Sequence, residues 1–476
     1  MVTEIAPRRP SSRREGDASS SGAGAATPGS ESLERADGAD GSGHAWDDDT
    51  MPLRGWHVAQ VSFEGPDRYS SAGGLAVRVA TLGHALARAG GDVELHFVGD
   101  PELPEVETRG GVTLRRWCRT ISAGAPAGVY DEQERKIEEL CVHLPAHLCD
   151  TIATARARGR RTLVLAEDWH TAWPLIALHD ALMARGLRDA ATLVWTANNR
   201  FGFDRLDFGR LDSAATLVTI SRAMKHLMWQ HGVNPLVVPN GIPTALLEPV
   251  GRADVIGLRS TIGRRALVKV GRWDPDKRWM MAIGATALMR DRGDRPVLLA
   301  RGWNGDASAS AHYADLRAHA RRLGLSWTVI GRSPEVSLRE TIAACGATVG
   351  EGGVVELAFP IEGAELQTLY AAADAVLANS GFEPFGLVGL EAMAARAVVI
   401  TGATGEDYVL PFHNGFALDT DDPAEIVRVI DWLHQRPGRV RAVRAAAYET
   451  ARRYRWSNVV ERLVLALGLD GTARLH

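Results

Sequence analysis

The stretch Asn379-Ser-Gly-Phe-Glu383-Pro-Phe-Gly-Leu-Val-Gly-Leu-Glu391-Ala-Met-Ala394 decides how the rest of the chain reads. It sets two carboxylates, Glu383 and Glu391, eight positions apart with a proline, an aromatic residue and two glycines between them. The second acid falls inside an apolar helical run, Leu387 to Ala395. On a helix a lone Glu belongs by default to a solvated face, but apolar neighbours on both sides leave this one little water. A carboxylate buried without a partner costs roughly several kcal/mol. Glu391 therefore calls for water or for a ligand that donates hydrogen bonds, and a ribose or hexose diol can donate two to one carboxylate.

Outward from this stretch, apolar runs alternate with helical patterns. Strands are expected at His57–Phe63, Val93–Val98, Thr162–Ala166, Ala191–Thr196, Leu217–Ile220 and Leu236–Val238. A second series is expected at Leu267–Val270, Val297–Ala300, Thr328–Ile330, Val354–Phe359, Ala375–Ala378 and Ala397–Thr401. Strand–helix alternation at this spacing predicts a parallel sheet covered on both faces, and its repetition predicts two doubly wound α/β domains facing across a cleft. The expected division is a disordered tail over 1–52, a first domain over 53–245, a linker over 246–264, a second domain over 265–440 and C-terminal helices over 441–476. The tail is rich in Ser, Gly, Ala, Asp and Arg and lacks large apolar residues, so it cannot offset its ordering entropy.

The chain has 476 residues, a net charge of -4, 45% hydrophobic and 24% charged residues, which suits a soluble globular protein and gives no sign of a nucleic-acid partner. Cys118, Cys141, Cys149 and Cys345 show no metal-ligand spacing and fit a reducing, cytoplasmic setting. No apolar run reaches membrane-spanning length.

Ligands of doubly wound sheets bind beyond the carboxyl ends of strands, and four motifs fall there. Between the first strand and helix, Gly73 and Gly74 let backbone N–H groups approach an anion or sugar, although a plain strand-to-helix turn reads equally well. After the strand at 162–166, Asp168 is placed to cap a helix and His170 to project from its first turn; a satisfied structural histidine is the competing reading. In Gly271-Arg272-Trp-Asp-Pro-Asp-Lys277, two cations on one loop suit a diphosphate, unless Asp274 and Asp276 neutralise them. At Phe385, Gly386 and Leu387 a helix begins, and its free N–H groups favour a phosphate. The loop Thr196-Ala-Asn-Asn-Arg-Phe-Gly-Phe-Asp204 adds amides, a cation and rings suited to a sugar, or simply to packing.

In this order the motifs resemble the retaining nucleotide-sugar glycosyltransferases of GT-B fold, the superfamily of group 1 transferases and glycogen and starch synthases. The resemblance covers about 55 to 470. It implies transfer of a hexose, glucose foremost, from a donor such as ADP- or UDP-glucose to a carbohydrate or small hydroxyl acceptor with retention of configuration. No metal or other cofactor is implied. Glu391 would hold the donor ribose, Glu383 the transferred sugar, Arg272 and Lys277 the diphosphate, and N–H groups around Phe385, Gly386 and Leu387 the sugar and distal phosphate. Gly74 would pack near the phosphates and His170 would donate near the sugar. The departures are Ser71, where glycogen and bacterial starch synthases carry Lys, Glu167 before Asp168, and Asn198 in place of a His. Two other readings remain beside it: a catalytically impaired nucleotide-sugar binder on the same scaffold, and a nucleotide-sugar epimerase.

Overall fold

The computed structural model describes residues 46, 50–303, 307–333, 335–345, 351–402 and 404–469. Most of the expected tail, 1–52, lies outside them. Eight strands form the first sheet: β1 (Trp56–Val61), β2 (Asp92–Val98), β3 (Val106–Arg109), β4 (Val112–Trp117), β5 (Arg161–Glu167), β6 (Ala191–Ala197), β7 (Thr216–Thr219) and β8 (Leu236–Val237). They lie in the order β3-β4-β2-β1-β5-β6-β7-β8, and every pairing is parallel except β3 with β4. The strand order reverses at β1, so the crevice of this sheet opens beyond the carboxyl ends of β1 and β5.

The β3–β4 hairpin was not among the expected strands. Its turn is Gly110-Gly111, with φ of 55° and 78°. Two successive positive φ values make the tight turn that glycine permits and that matches strand twist. β4 alternates buried and half-buried residues, with Arg115 among the latter, and those polar positions hid a short strand from a search for apolar runs.

The second sheet contains β9 (Arg265–Arg272), β10 (Pro296–Trp303), β11 (Ser326–Ile330), β12 (Gly353–Leu357), β13 (Ala375–Ala378), β14 (Val399–Thr401) and β15 (Phe416–Ala417). Its order is β11-β12-β10-β9-β13-β14-β15, parallel throughout. Fully buried runs such as Leu267, Val268, Leu298 and Leu299 explain why these strands read as continuous apolar segments.

Two crossings join the sheets side by side. Ile242 donates its N–H to the carbonyl of Tyr454 at 2.8 Å, and Trp456 returns one to Ile242 at 3.2 Å. A Cβ on Gly241 would lie 2.4 Å from the Trp456 ring, so only glycine admits this contact. The Trp456–Leu467 helix then buries Trp456, Val459, Val460, Leu463, Val464 and Leu467 in the same cluster as Val58, Leu82 and Leu86 of the first domain. No helix among the described residues is long and apolar enough to cross a membrane.

Candidate active site

The loops at the carboxyl ends of β9, β13 and β14 build one wall of the cleft. β9 ends at Arg272, and the turn that follows is fixed by Asp274, whose side chain accepts from the N–H of Asp276. That turn carries Lys277, whose Nζ donates to Oε2 of Glu383 at 2.6 Å, while Ser380 donates to the same oxygen at 3.1 Å. Lys277 and Glu383, 106 positions apart, thus form one pair. Arg272 stays half exposed, 3.8 Å from Asp274. Neutralisation of both cations by the loop aspartates is therefore not what the structure shows. Behind the pair, Lys269 is buried and bonded to Asn379 at 2.6 Å; burial, reinforced by the nearby Lys277 cation, holds its ammonium well below the ordinary pKa.

Glu383 is positioned by its backbone. Its N–H donates to Oγ1 of Thr404 at 3.1 Å, and Gly405, at φ 78°, passes so close that a Cβ there would lie 1.8 Å from the Glu383 carbonyl oxygen. Gly386, at φ 79°, caps the Leu387–Ala394 helix, with its carbonyl accepting from the Tyr408 hydroxyl. Phe385 is buried against Tyr408 and Tyr454 at 5.7 and 6.0 Å, so its ring belongs to the core and only its backbone can face a ligand. Glu391 retains part of its exposure, and no described residue bonds its carboxylate. Desolvation nevertheless pushes its pKa up to about 7.

One acid in this wall escaped the sequence reading. Glu406 is buried, both of its carboxyl oxygens lack a hydrogen-bond partner, and a Cβ on Gly386 would meet its Cγ at 2.8 Å. Burial first and the nearby Glu383 second raise its pKa well above the carboxylate range. The signal was its place: Gly402 to Glu406 directly follows the carboxyl end of β14, as the other motifs follow theirs.

The opposite wall is built on the first sheet. Its loops touch the second domain where the Arg200 guanidinium lies 4.7 Å from the Phe382 ring centre, and where Asp407 accepts from the backbone of Arg222 at 2.6 Å. His170 is buried, stacked on Phe63 at 4.2 Å, with the Trp169 ring tilted against it at 3.9 Å. Its Nε2 lies 3.3 Å from Gln133, and its Nδ1 has no partner. Burial, helped by Arg205, lowers its pKa to about 3, so the ring is neutral and can donate one hydrogen bond.

Two expectations need correction here. Asp168 stands at the N-cap position of the short 3-10 turn Trp169–Thr171, but its side chain makes no capping bond: it accepts from Asn199, its backbone adopts φ 68°, and burial pushes its carboxyl up to about 7. Gly73 does not leave its N–H open for a ligand. Glu64 Oε2 accepts from Ala72, Gly73 and Ala76 at 3.3, 2.9 and 3.2 Å, and Oε1 accepts from the Tyr130 hydroxyl. The side chain of Glu64, in the loop after β1, itself takes the acceptor's place at this helix start, and burial raises its pKa although these N–H groups oppose the rise. Gly74 faces open space, with no atom within 4 Å of where a Cβ would be. The first-domain departures from the family pattern are internally bonded: Glu167 pairs with Arg78 at 3.1 Å and accepts from Asn198 at 2.7 Å.

A groove of about 850 Å³ opens elsewhere, lined by Arg188, Asp189, Thr192 and Thr216. It lies at the amino ends of β6 and β7, away from these loops, and holds none of the converging cations.

Two mainly parallel sheets facing across a cleft, with cations and acids at strand carboxyl ends, define the GT-B glycosyltransferase architecture. Residues 349–452 match the family Glycosyl transferases group 1. Over 431 residues the chain is 27% identical to D-inositol 3-phosphate glycosyltransferase of Kineococcus radiotolerans, covering 82% of this chain and 89% of that one. Among solved structures it resembles sucrose-phosphate synthase of Thermosynechococcus elongatus, with TM-score 0.59, 18% identity and coverage of 86% and 97%. It also resembles HepE of Anabaena in complex with UDP-glucose, with TM-score 0.55, 17% identity and coverage of 86% and 99%. Residues 349–452 are thus of the group 1 glycosyltransferase type, set in a chain with the two-sheet fold of these structures.

Proposed function

We propose that this protein transfers glucose from a nucleotide-diphospho-glucose to the hydroxyl of a carbohydrate or small polyol, with retention of anomeric configuration, in the cytoplasm. The observation that carries the proposal is the Lys277–Glu383 pair, 2.6 Å apart beside the half-exposed Arg272, with Glu391 left without a partner. Lys277 and Arg272 bind the diphosphate and stabilise its charge as the bond from the sugar's anomeric carbon to phosphate oxygen breaks. The acceptor oxygen bonds that carbon on the face the diphosphate leaves, and its proton passes to a phosphate oxygen. Glu383 then orients the sugar hydroxyls and Glu391 accepts from the ribose diol. Neutral His170 donates to the sugar without adding charge. The positive charge for this step is supplied by the two side chains, so the residues ask for no divalent ion.

The acceptor of the inositol phosphate relative suits a small polyol here as well. The test is release of nucleoside diphosphate across a panel of ADP-, UDP- and GDP-sugars with polyol, sugar-phosphate and glucan acceptors, followed by NMR of the product's anomeric proton. Silence across the panel, or an inverted product, overturns the proposal. Glu64 on the Gly73 N–H favours a second reading, a nucleotide-sugar binder without turnover, which predicts thermal stabilisation by donor and no product.

A further inference from the structure

We propose that Glu94, His96 and His147 form a zinc site on the helical face of the first sheet, separate from the cleft. Glu94 and His96 are two residues apart on β2 and so point to one face. The Gln133–Ala157 helix supplies His147 from above that face. One ligand atom from each of the three residues lies within 4.8 Å of the others. His96 is fully buried with only a long 3.5 Å contact from its Nε2 to Glu94, and Nε2 of His147 has no hydrogen-bond partner. Buried polar nitrogens without good partners are uncommon and costly, so one open nitrogen and one held only by a long contact, gathered beside a carboxylate, ask for something to bind.

The third donor is already half committed to the right geometry. Oε1 of Glu94 accepts from Arg115 at 2.6 Å, leaving Oε2 at 3.5 Å from Nε2 of His96. Ligands at zinc distances of about 2.0–2.1 Å sit about 3.3 Å apart in a tetrahedron, so modest side-chain movement closes the set. Two imidazoles and one carboxylate suit zinc and leave a fourth position for water, whereas magnesium and calcium prefer oxygen ligands alone. Arg115 opposes the cation from one side, and the carboxylates of Asp92 and Asp150 lie near enough to act on His57 and His147. Trp117 also opposes it, since its indole N–H donates to Nδ1 of His96 at 3.3 Å and so favours the proton on Nε2. Metal binding turns this tautomer over and breaks that long bond. His147 lies about 21 Å further along the helix than Gln133, the partner of His170, at 1.5 Å per residue. The ion would tie that helix to β2, not take part in transfer.

Metal-stripped full-length protein is titrated with Zn²⁺ alone, and retained zinc is counted by mass spectrometry after gel filtration, with Co²⁺ absorption reporting tetrahedral coordination. One retained ion per chain and a rise in Tm are expected. His147→Ala, on a half-exposed helix position, weakens binding by about 100-fold, and Glu94→Gln, which keeps the shape, also weakens it. Trp117→Phe tightens it about fivefold by removing the competing bond. No retained ion, or equal retention by both ligand variants, overturns the site, because zinc is then held elsewhere among the 15 histidines or not at all. Weaker binding by Trp117→Phe overturns it as well.

Discussion

Lys277 and Glu383 meet at 2.6 Å although 106 residues separate them, each about one-fifth exposed. A pair this open adds little stability, on the order of 0–1 kcal/mol. Its value is in charge placed where a diphosphate would leave. Lys277→Ala is expected to leave Tm almost unchanged and to lower kcat/KM by about 10²–10³, as loss of one electrostatic donor does elsewhere. Thermal melts beside nucleoside diphosphate release check this, and full activity in the variant would remove Lys277 from the mechanism.

Glu391 should make the ligand-free protein less stable as pH rises. Its folded pKa of about 7 lies above the ordinary 4.5, so between these values the folded chain holds a proton that the unfolded chain has lost. Stability from that proton is present below about 4.5 and is lost as pH climbs to about 7. Asp168, also raised to about 7, acts in the same direction. Glu391→Gln should flatten part of the decline while weakening donor binding, measured by thermal shift with nucleoside diphosphate from pH 4.5 to 8.

His170 works the other way. Its folded pKa of about 3 lies below the ordinary 6.5, so as pH falls through that interval the unfolded chain takes up a proton that the folded one refuses, and stability falls. Its neutral ring also predicts that any acid limb of kcat/KM near pH 6.5 belongs to another group. His170→Asn should lower the rate by about 10²-fold, within the range for a positioned proton donor, without moving that limb; a limb that vanishes in the variant would assign it to His170.

Gly405→Ala should damage the site through the backbone. The new Cβ would meet the Glu383 carbonyl at 1.8 Å, and φ 78° is itself strained for alanine by about 1–2 kcal/mol. Loss of both Tm and activity is expected. Gly74→Ala, with open space at the Cβ position, should change stability far less. Similar melting curves for the two variants would contradict the close approach at Glu383.

Much of the fold was legible because its strands are buried on both faces. Leu267–Val270, Val297–Ala300 and Ala375–Ala378 are continuous apolar runs, and the Trp456–Leu467 helix carries its own amphipathic period. β3 and β4 were missed because strands with one polar face, such as β4 with Arg115, do not form such runs, although Gly110-Gly111 marked their turn.

Residue types and their order along the chain were determined by the sequence alone: two doubly wound domains, a cationic loop after β9 and an acid pair around a helix start. Partnership was decided only by tertiary structure. A carboxylate's neighbours come from segments that the fold brings together, and the sequence spacing does not encode which donor arrives first. Glu383 took Lys277, Asp168 took Asn199, and Glu64 filled the N–H groups beside Gly73. Glu391 and Glu406 were left without partners by the same packing, and burial then set their proton affinity.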